Sequence, residues 1–190
     1  MISYLGNSII FISLVLTISF YLNLLRKIIP STTLSLKLIY STNLIPFGLL
    51  VYAFSISDFT LLNVVENSYI DDPIFYKVTS AWGSHEGSIL LWVFLINLFG
   101  VFFLYKNQTV EIHKNILFIS TLFILYVLIS SNPFTYVEAN EDILGLGLNP
   151  ILQHFLFTIH PPTLFLGYIG LIIPFVISAH MLVNKNFSEK

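Results

Sequence analysis

Ser88-Ile89-Leu90-Leu91-Trp92-Val93-Phe94-Leu95-Ile96-Asn97-Leu98-Phe99-Gly100-Val101-Phe102-Phe103-Leu104-Tyr105 runs without a single Asp, Glu, Lys or Arg. A helix over it, rising about 1.5 Å per residue, is long enough for the roughly 30 Å hydrocarbon core of a bilayer. Four more stretches read the same way, so spans are expected near 8–25, 38–57, 88–105, 115–131 and 162–183. The whole chain agrees: of 190 residues, 56% are hydrophobic and 9% are charged, against about 25% charged in an ordinary soluble domain. The fold class expected is an all-α polytopic membrane protein with about five transmembrane helices, forming a single membrane domain over 1–190.

Charge distribution orients the spans. Arg26, Lys27, Lys37, Lys106, Lys114, Lys185 and Lys190 fall on one side, seven of the eight basic residues. Asp58, Glu66, Asp71, Asp72, Glu86, Glu138, Glu141 and Asp142 fall on the other, eight of the ten acids. The positive-inside rule then puts the N-terminus outside and the C-terminus inside. No basic residue precedes the first apolar run and no small-residue cleavage site follows it, so no secretory leader is expected. With no cysteine the chain can form no disulfide and do no thiol redox chemistry. Spans free of charge at mid-depth argue against an ion pump or proton relay. Basic residues are too few and scattered for nucleic acid. Pro46 and Gly48 predict a kink in span two. The outer loops carry apolar groups expected at the membrane surface, Ile74, Phe75, Tyr76 and Val78 in one and Ile151, Leu152, Phe155, Leu156 and Phe157 in the other.

Chemistry is therefore expected at the outer edge, where two motifs bring histidines. The first is Trp82-Gly83-Ser84-His85-Glu86-Gly87-Ser88. Ser84 is placed to cap span three, and Glu86 in its first turn suits the positive helix end. His85, Ser88 and Trp92 share one helix face, and Gly83 and Gly87 permit close approach of a backbone or a flat ligand. The second motif runs from Asn149-Pro150 through His160-Pro161-Pro162 to Gly167-Tyr168. Two prolines fit the first turn of span five, and the residue before a proline is driven from helical geometry. His160 is thus expected to be the hinge between loop and helix, with Thr163, Leu164, Gly167, Gly170 and Pro174 continuing its face. The residues alone leave two readings open. The histidines are polar anchors on capped helices flanked by interfacial tryptophans, or His160 is an axial ligand to an iron porphyrin lying along that small-residue face. His154, six residues earlier, lies off it, and His113 and His180 read as ordinary surface residues of the inner side.

Together these residues resemble the CcmF family, membrane haem-handling subunits of system I cytochrome c maturation. The likeness runs from Asp58-Phe59, Val65-Glu66-Asn67-Ser68 and Tyr76-Lys77 through Trp82 to Trp92. It resumes at Leu148-Asn149-Pro150-Ile151-Leu152-Gln153-His154 and continues through Ile159-His160-Pro161-Pro162 to Gly167-Tyr168-Ile169-Gly170. The resemblance implies a subunit of a cytochrome c haem lyase that handles haem at the outer membrane face and supports its thioether attachment to apocytochrome c. It implies His160 as an axial ligand of a haem b, with Gly167 and Gly170 giving the macrocycle room. Trp82, His85, Glu86 and Trp92 would shape the haem or partner surface, and no catalytic residue is assigned. Family members are several times longer and carry a tryptophan-rich segment and further histidines beyond the equivalent of residue 190. This chain has two tryptophans, so it is expected to be the N-terminal part of a split protein holding half of a haem site. The implied partners are C-terminal CcmF-like polypeptides carrying that segment, a haem chaperone, apocytochrome c with its thiol-reducing partner, and membrane lipid. Such a split, as in mitochondrial genes, implies the mitochondrial inner membrane, which the many Phe, Ile, Leu, Tyr and Asn residues of an AT-rich organellar genome would suit, with a bacterial plasma membrane as the alternative. The competing reading from another class is a non-catalytic structural subunit of a respiratory or transport complex.

Overall fold

The computed structural model describes residues 1–23, 25–106, 109–138 and 143–185. Glu141, Asp142 and Lys190, counted in the charge asymmetry, lie outside the described residues. In order come α1 (Ile2–Tyr21), α2 (Leu25–Ile28), α3 (Thr32–Ser55), α4 (Leu62–Asn67), α5 (Ile74–Gly83), α6 (His85–Tyr105) and α7 (Val110–Ser130). A 3₁₀ turn (Pro150–Leu152), α8 (Phe155–Gly170) and α9 (Ile172–Asn184) follow. Among the described residues there is no strand, only an isolated bridge between Leu61 and Tyr136. Five helical segments are long and apolar enough to cross a membrane: α1, α3, α6, α7 and the joined Thr158–Asn184. The chain is an all-helical, multi-pass membrane protein.

The expected number of spans holds, and their ends move. The first span begins at Ile2 rather than near 8 and stops at Tyr21, where Asn23 adopts a left-handed φ of 55°, a helix-ending conformation that Asn tolerates. Span two starts at Thr32 because the Ser31 hydroxyl accepts from the Leu34 amide at 3.3 Å. The largest change is in span five, which opens at Phe155, seven residues before the expected start. Its consequences fall on the site.

Helices α1, α3, α6 and α7 pack in a ring, α3 on α6, α1 on α3, α6 on α7 and α1 on α7, while α8 and α9 lie outside against α6 and α7. Tyr40, Phe54, Leu50, Ile96 and Leu117 fill the core. Gly100 allows α3 and α6 to close up, since a Cβ there would overlap the Tyr40 ring. Polar groups buried in the spans are neutral Asn, Ser and Thr or histidine, in line with the charge-free centres. His113 and His180 correct the reading as surface residues. His113 is 2% exposed, its Nδ1 2.9 Å from the Tyr40 hydroxyl. His180 is buried beside Asn184 Nδ2. Each burial supplies a hydrogen-bond partner, as a buried polar group requires.

At the end of the bundle carrying both motifs, the connections knit together. Leu62 N donates to Thr135 O and Val137 N to Thr60 O (3.0 Å each), Leu146 N to Val65 O (2.8 Å) and Ile70 N to Leu144 O (2.9 Å). Phe134 plugs the start of α1, its carbonyl taking bonds from Ser3 Oγ (2.7 Å) and Asn7 Nδ2 (3.1 Å). These bonds pair backbone groups of the two connections with each other and give the motifs a shared platform.

Candidate functional site

The first motif folds as a corner between two helices. Ser84, extended at φ −84° and ψ 157°, separates α5 from α6, and its hydroxyl accepts from the Gly87 amide at 3.0 Å. This is the expected cap, with Glu86 in the first turn. Ser88 Oγ donates to the Trp82 carbonyl at 2.8 Å, closing the corner. Both glycines face the protein itself. A Cβ on Gly87 would overlap the Ala81 carbonyl oxygen, and one on Gly83 would lie 3.0 Å from Leu148 and 3.2 Å from Leu152. The close approach read from their spacing is therefore made by this chain's own backbone and leucines.

The four surface candidates separate. His85 is exposed, with Nδ1 3.1 Å from Ser131 Oγ and its ring edge-on to Tyr126 at 6.4 Å. It turns toward α7. Glu86 is half-buried beside it in the sequence. Trp92 packs between Phe123 (5.4 Å) and Phe165 (5.5 Å) and so clamps α6, α7 and α8 together. Trp82 donates from its indole Nε1 to the Thr158 carbonyl at 2.9 Å.

That last bond explains the second motif. Helix α8 is capped by His154, extended at φ −131° and ψ 135°, whose Nδ1 accepts from the Leu156 amide at 3.3 Å. Pro161 and Pro162 therefore stand inside the helix rather than in its first turn, and His160 is helical rather than a hinge. The local bias against helix before proline is overcome by tertiary support. Pro162 has no amide proton, so the Thr158 carbonyl loses its helical donor. The indole of Trp82, a donor with no acceptor, takes that place. Thr163 Oγ1 adds bonds to the carbonyls of Ile159 (3.2 Å) and His160 (2.9 Å). Spacing arguments missed the link, although a proline and a donor-only side chain in two adjoining motifs were the signal for it.

His160 is exposed and, among the described residues, its ring makes no hydrogen bond. Being five residues into a long helix, and beside the Trp82 corner through Thr158, it stands near the motif end of the bundle and not at its middle. Seven and ten residues on, Gly167 and Gly170 share its face, and a Cβ on either would meet nothing within 4 Å. Pro174, in the first turn of α9, leaves Gly170 without its helical donor, and the segment breaks at Leu171. Only 11% of this fifth span is buried, against 39–50% in the other four. The open strip thus belongs to the least covered helix. No group of three His, Cys, Asp or Glu suited to a metal ion exists among the described residues. What the chain presents is single imidazoles: His160 over an open face, and His85 against another helix.

The family described as "Cytochrome C assembly protein" matches residues 82–190, which hold both motifs. The chain is 44% identical over 125 residues to the cytochrome c-type biogenesis protein CycK of Bradyrhizobium diazoefficiens, covering 63% of this chain and 19% of the relative. It is 38% identical over 146 residues to the cytochrome c-type biogenesis protein CcmF of Haemophilus influenzae, covering 74% of this chain and 22% of the relative. Among solved structures it is similar to cytochrome c haem lyase CcmF with a TM-score of 0.79 at 21% identity, over 98% of this chain and 31% of that one, a likeness of fold. The chain spans about a fifth of the length of these sequence relatives. With both motifs in place on a shared fold, the chain belongs to the CcmF family of cytochrome c assembly proteins and corresponds to its N-terminal portion.

Proposed function

We propose that this chain is one subunit of a cytochrome c haem lyase assembly and supplies half of a haem site at the outer face of the membrane. The observation that carries the reading is the exposed His160 ring, without a hydrogen bond among the described residues, standing over the open strip of Gly167 and Gly170 in a member of the cytochrome c assembly family. These residues fit a haem: an axial ligand needs a free ring nitrogen on a stiff support, and a macrocycle edge needs a wall without side chains. When bound, a haem b would supply a redox-active iron close to where haem is joined to apocytochrome c. His160 would hold that iron from one side. Trp82 and the Ser84 corner would keep His160 in place, and His85 with Glu86 would face incoming partners. The position of His160 near the helix start favours a haem reached from the outer compartment over one enclosed at mid-depth. The second ligand and the tryptophan-rich surface would come from polypeptides equivalent to the rest of the relatives' length. A haem chaperone would deliver haem, and a thiol-reducing partner would act on the apocytochrome, since this chain has no cysteine. The richness in Phe, Ile, Leu, Tyr and Asn supports the mitochondrial inner membrane, facing the intermembrane space, and the bacterial relatives fit descent from a plasma-membrane system.

Purified through this chain, the assembly is expected to contain CcmF-like polypeptides by mass spectrometry and a reduced b-type haem spectrum. The same companions with no haem would favour the structural-subunit reading instead. Orientation has its own check. A cysteine replacing exposed Asp71 is expected to react with an impermeant thiol reagent from outside, and one replacing exposed Lys106 only after the membrane is opened. Labelling of the Lys106 position from outside would place both motifs on the wrong face.

A further inference from the structure

Halfway along the four-helix ring, neutral polar side chains cross the bundle. Asn43 Nδ2 donates to Asn97 Oδ1 at 2.8 Å, and Asn97 Nδ2 donates to the Val93 carbonyl and to Ser120 Oγ, each at 2.7 Å. The chain of bonds joins α3, α6 and α7 and leaves out α1. Beside this chain of bonds two buried polar atoms have no partner among the described residues, Asn43 Oδ1 and, on α1, Ser13 Oγ. Their residues are 2% and 1% exposed. Bulk water does not reach such a site in a bilayer, and an unpaired polar atom there is costly.

Both residues line one small cavity, whose other walls include Ile10, Pro46, Leu90 and Val93. The space open to the centre of a water molecule is about 10 Å³, close to what one water requires. Pro46 bears on the same place in a second way. It has no amide proton, so the Thr42 carbonyl one turn earlier also lacks its helical donor. Orphan polar atoms and a shared cavity of the right size coincide at one depth, beside the proline of α3.

We propose that this cavity is a binding site for a single structural water, which donates to Asn43 Oδ1 and hydrogen-bonds Ser13 Oγ. The water extends the Asn43–Asn97–Ser120 chain to α1, so that all four helices of the ring share one hydrogen-bonded unit at mid-membrane. A hard metal cation is a poor alternative, because the site has no carboxylate and too few oxygens for its usual six or more ligands.

The test compares thermal unfolding of the full chain and its Ser13→Ala variant in nanodiscs, together with a structure of the assembled complex at a resolution that shows waters. A bridging water makes Ser13→Ala lower the Tm, by about 2–4 °C, and gives a density peak within about 3.2 Å of both atoms. If the hydroxyl is simply unsatisfied, its removal leaves the Tm unchanged or raises it, which overturns the proposal. Ser13 Oγ turned onto a carbonyl of its own helix, with no density between it and Asn43, overturns it as well. So does a Tm that differs between sodium and potassium buffers in the parent chain and not in Ser13→Ala, since that identifies an ion.

Discussion

His160→Ala in the assembled complex is expected to remove the haem b signal or shift it to high spin while the subunits stay associated. The His160 ring is exposed and makes no hydrogen bond among the described residues. Its loss therefore removes no packing that holds the bundle together, and alanine favours helix at this position. An axial bond, by contrast, has no substitute once the imidazole is gone. The expected outcome is near-complete loss of low-spin haem at unchanged complex yield, measured by reduced-minus-oxidised spectra on complex normalised by protein. Two companions separate ligation from shape. Gly167→Leu keeps the ligand and fills the open strip, so occupancy should fall without a change of spin state in the haem that remains. His154→Ala removes the α8 cap and should affect haem much less. An unchanged spectrum in His160→Ala would make this histidine the polar anchor of the competing reading.

Trp82→Phe is the second large effect, and it acts at a distance. The substitution keeps an aromatic ring in the corner and deletes only the N–H that serves the Thr158 carbonyl. Thr158 is 1% exposed, and Pro162 offers its carbonyl no replacement donor. Leaving a buried acceptor unpaired costs about 1–3 kcal/mol. The strain falls on the turns of α8 that carry His160. Hydrogen exchange should accelerate at the amides of 158–160, roughly ten-fold or more on that energy scale. Haem occupancy should drop only in part, because the ligand survives. Unaltered exchange there would show that the indole bond does not hold this part of α8.

Much of the molecule was legible in the sequence because lipid imposes a coarse rule. A run such as Ser88 to Tyr105 must be a helix once it lies in hydrocarbon, since no other structure satisfies its backbone. The Ser84 cap was equally readable, being a contact of three residues' reach. What could not be read was set by partners far away in the chain. His113 looked like a surface residue because nothing near it calls for burial, and its partner Tyr40 is 73 residues earlier. Pro161 and Pro162 looked like a helix start because local rules place prolines there, and the indole that serves the Thr158 carbonyl left open by Pro162 arrives from 76 residues earlier. Trp92 is held by Phe123 and Phe165 of two other helices, contacts that its own neighbourhood in the sequence does not announce. Local chemistry predicted elements and caps. Long-range hydrogen bonds and ring packing decide which of those residues are buried.

The central claim, that the chain holds half of a haem site, is tested most directly by titrating haem into the purified chain alone and into the chain joined with its complementary CcmF-like polypeptides. The expected result is weak or no binding by the chain alone, and stoichiometric six-coordinate low-spin haem only in the joined assembly. Stoichiometric six-coordinate low-spin haem in the isolated chain would contradict it.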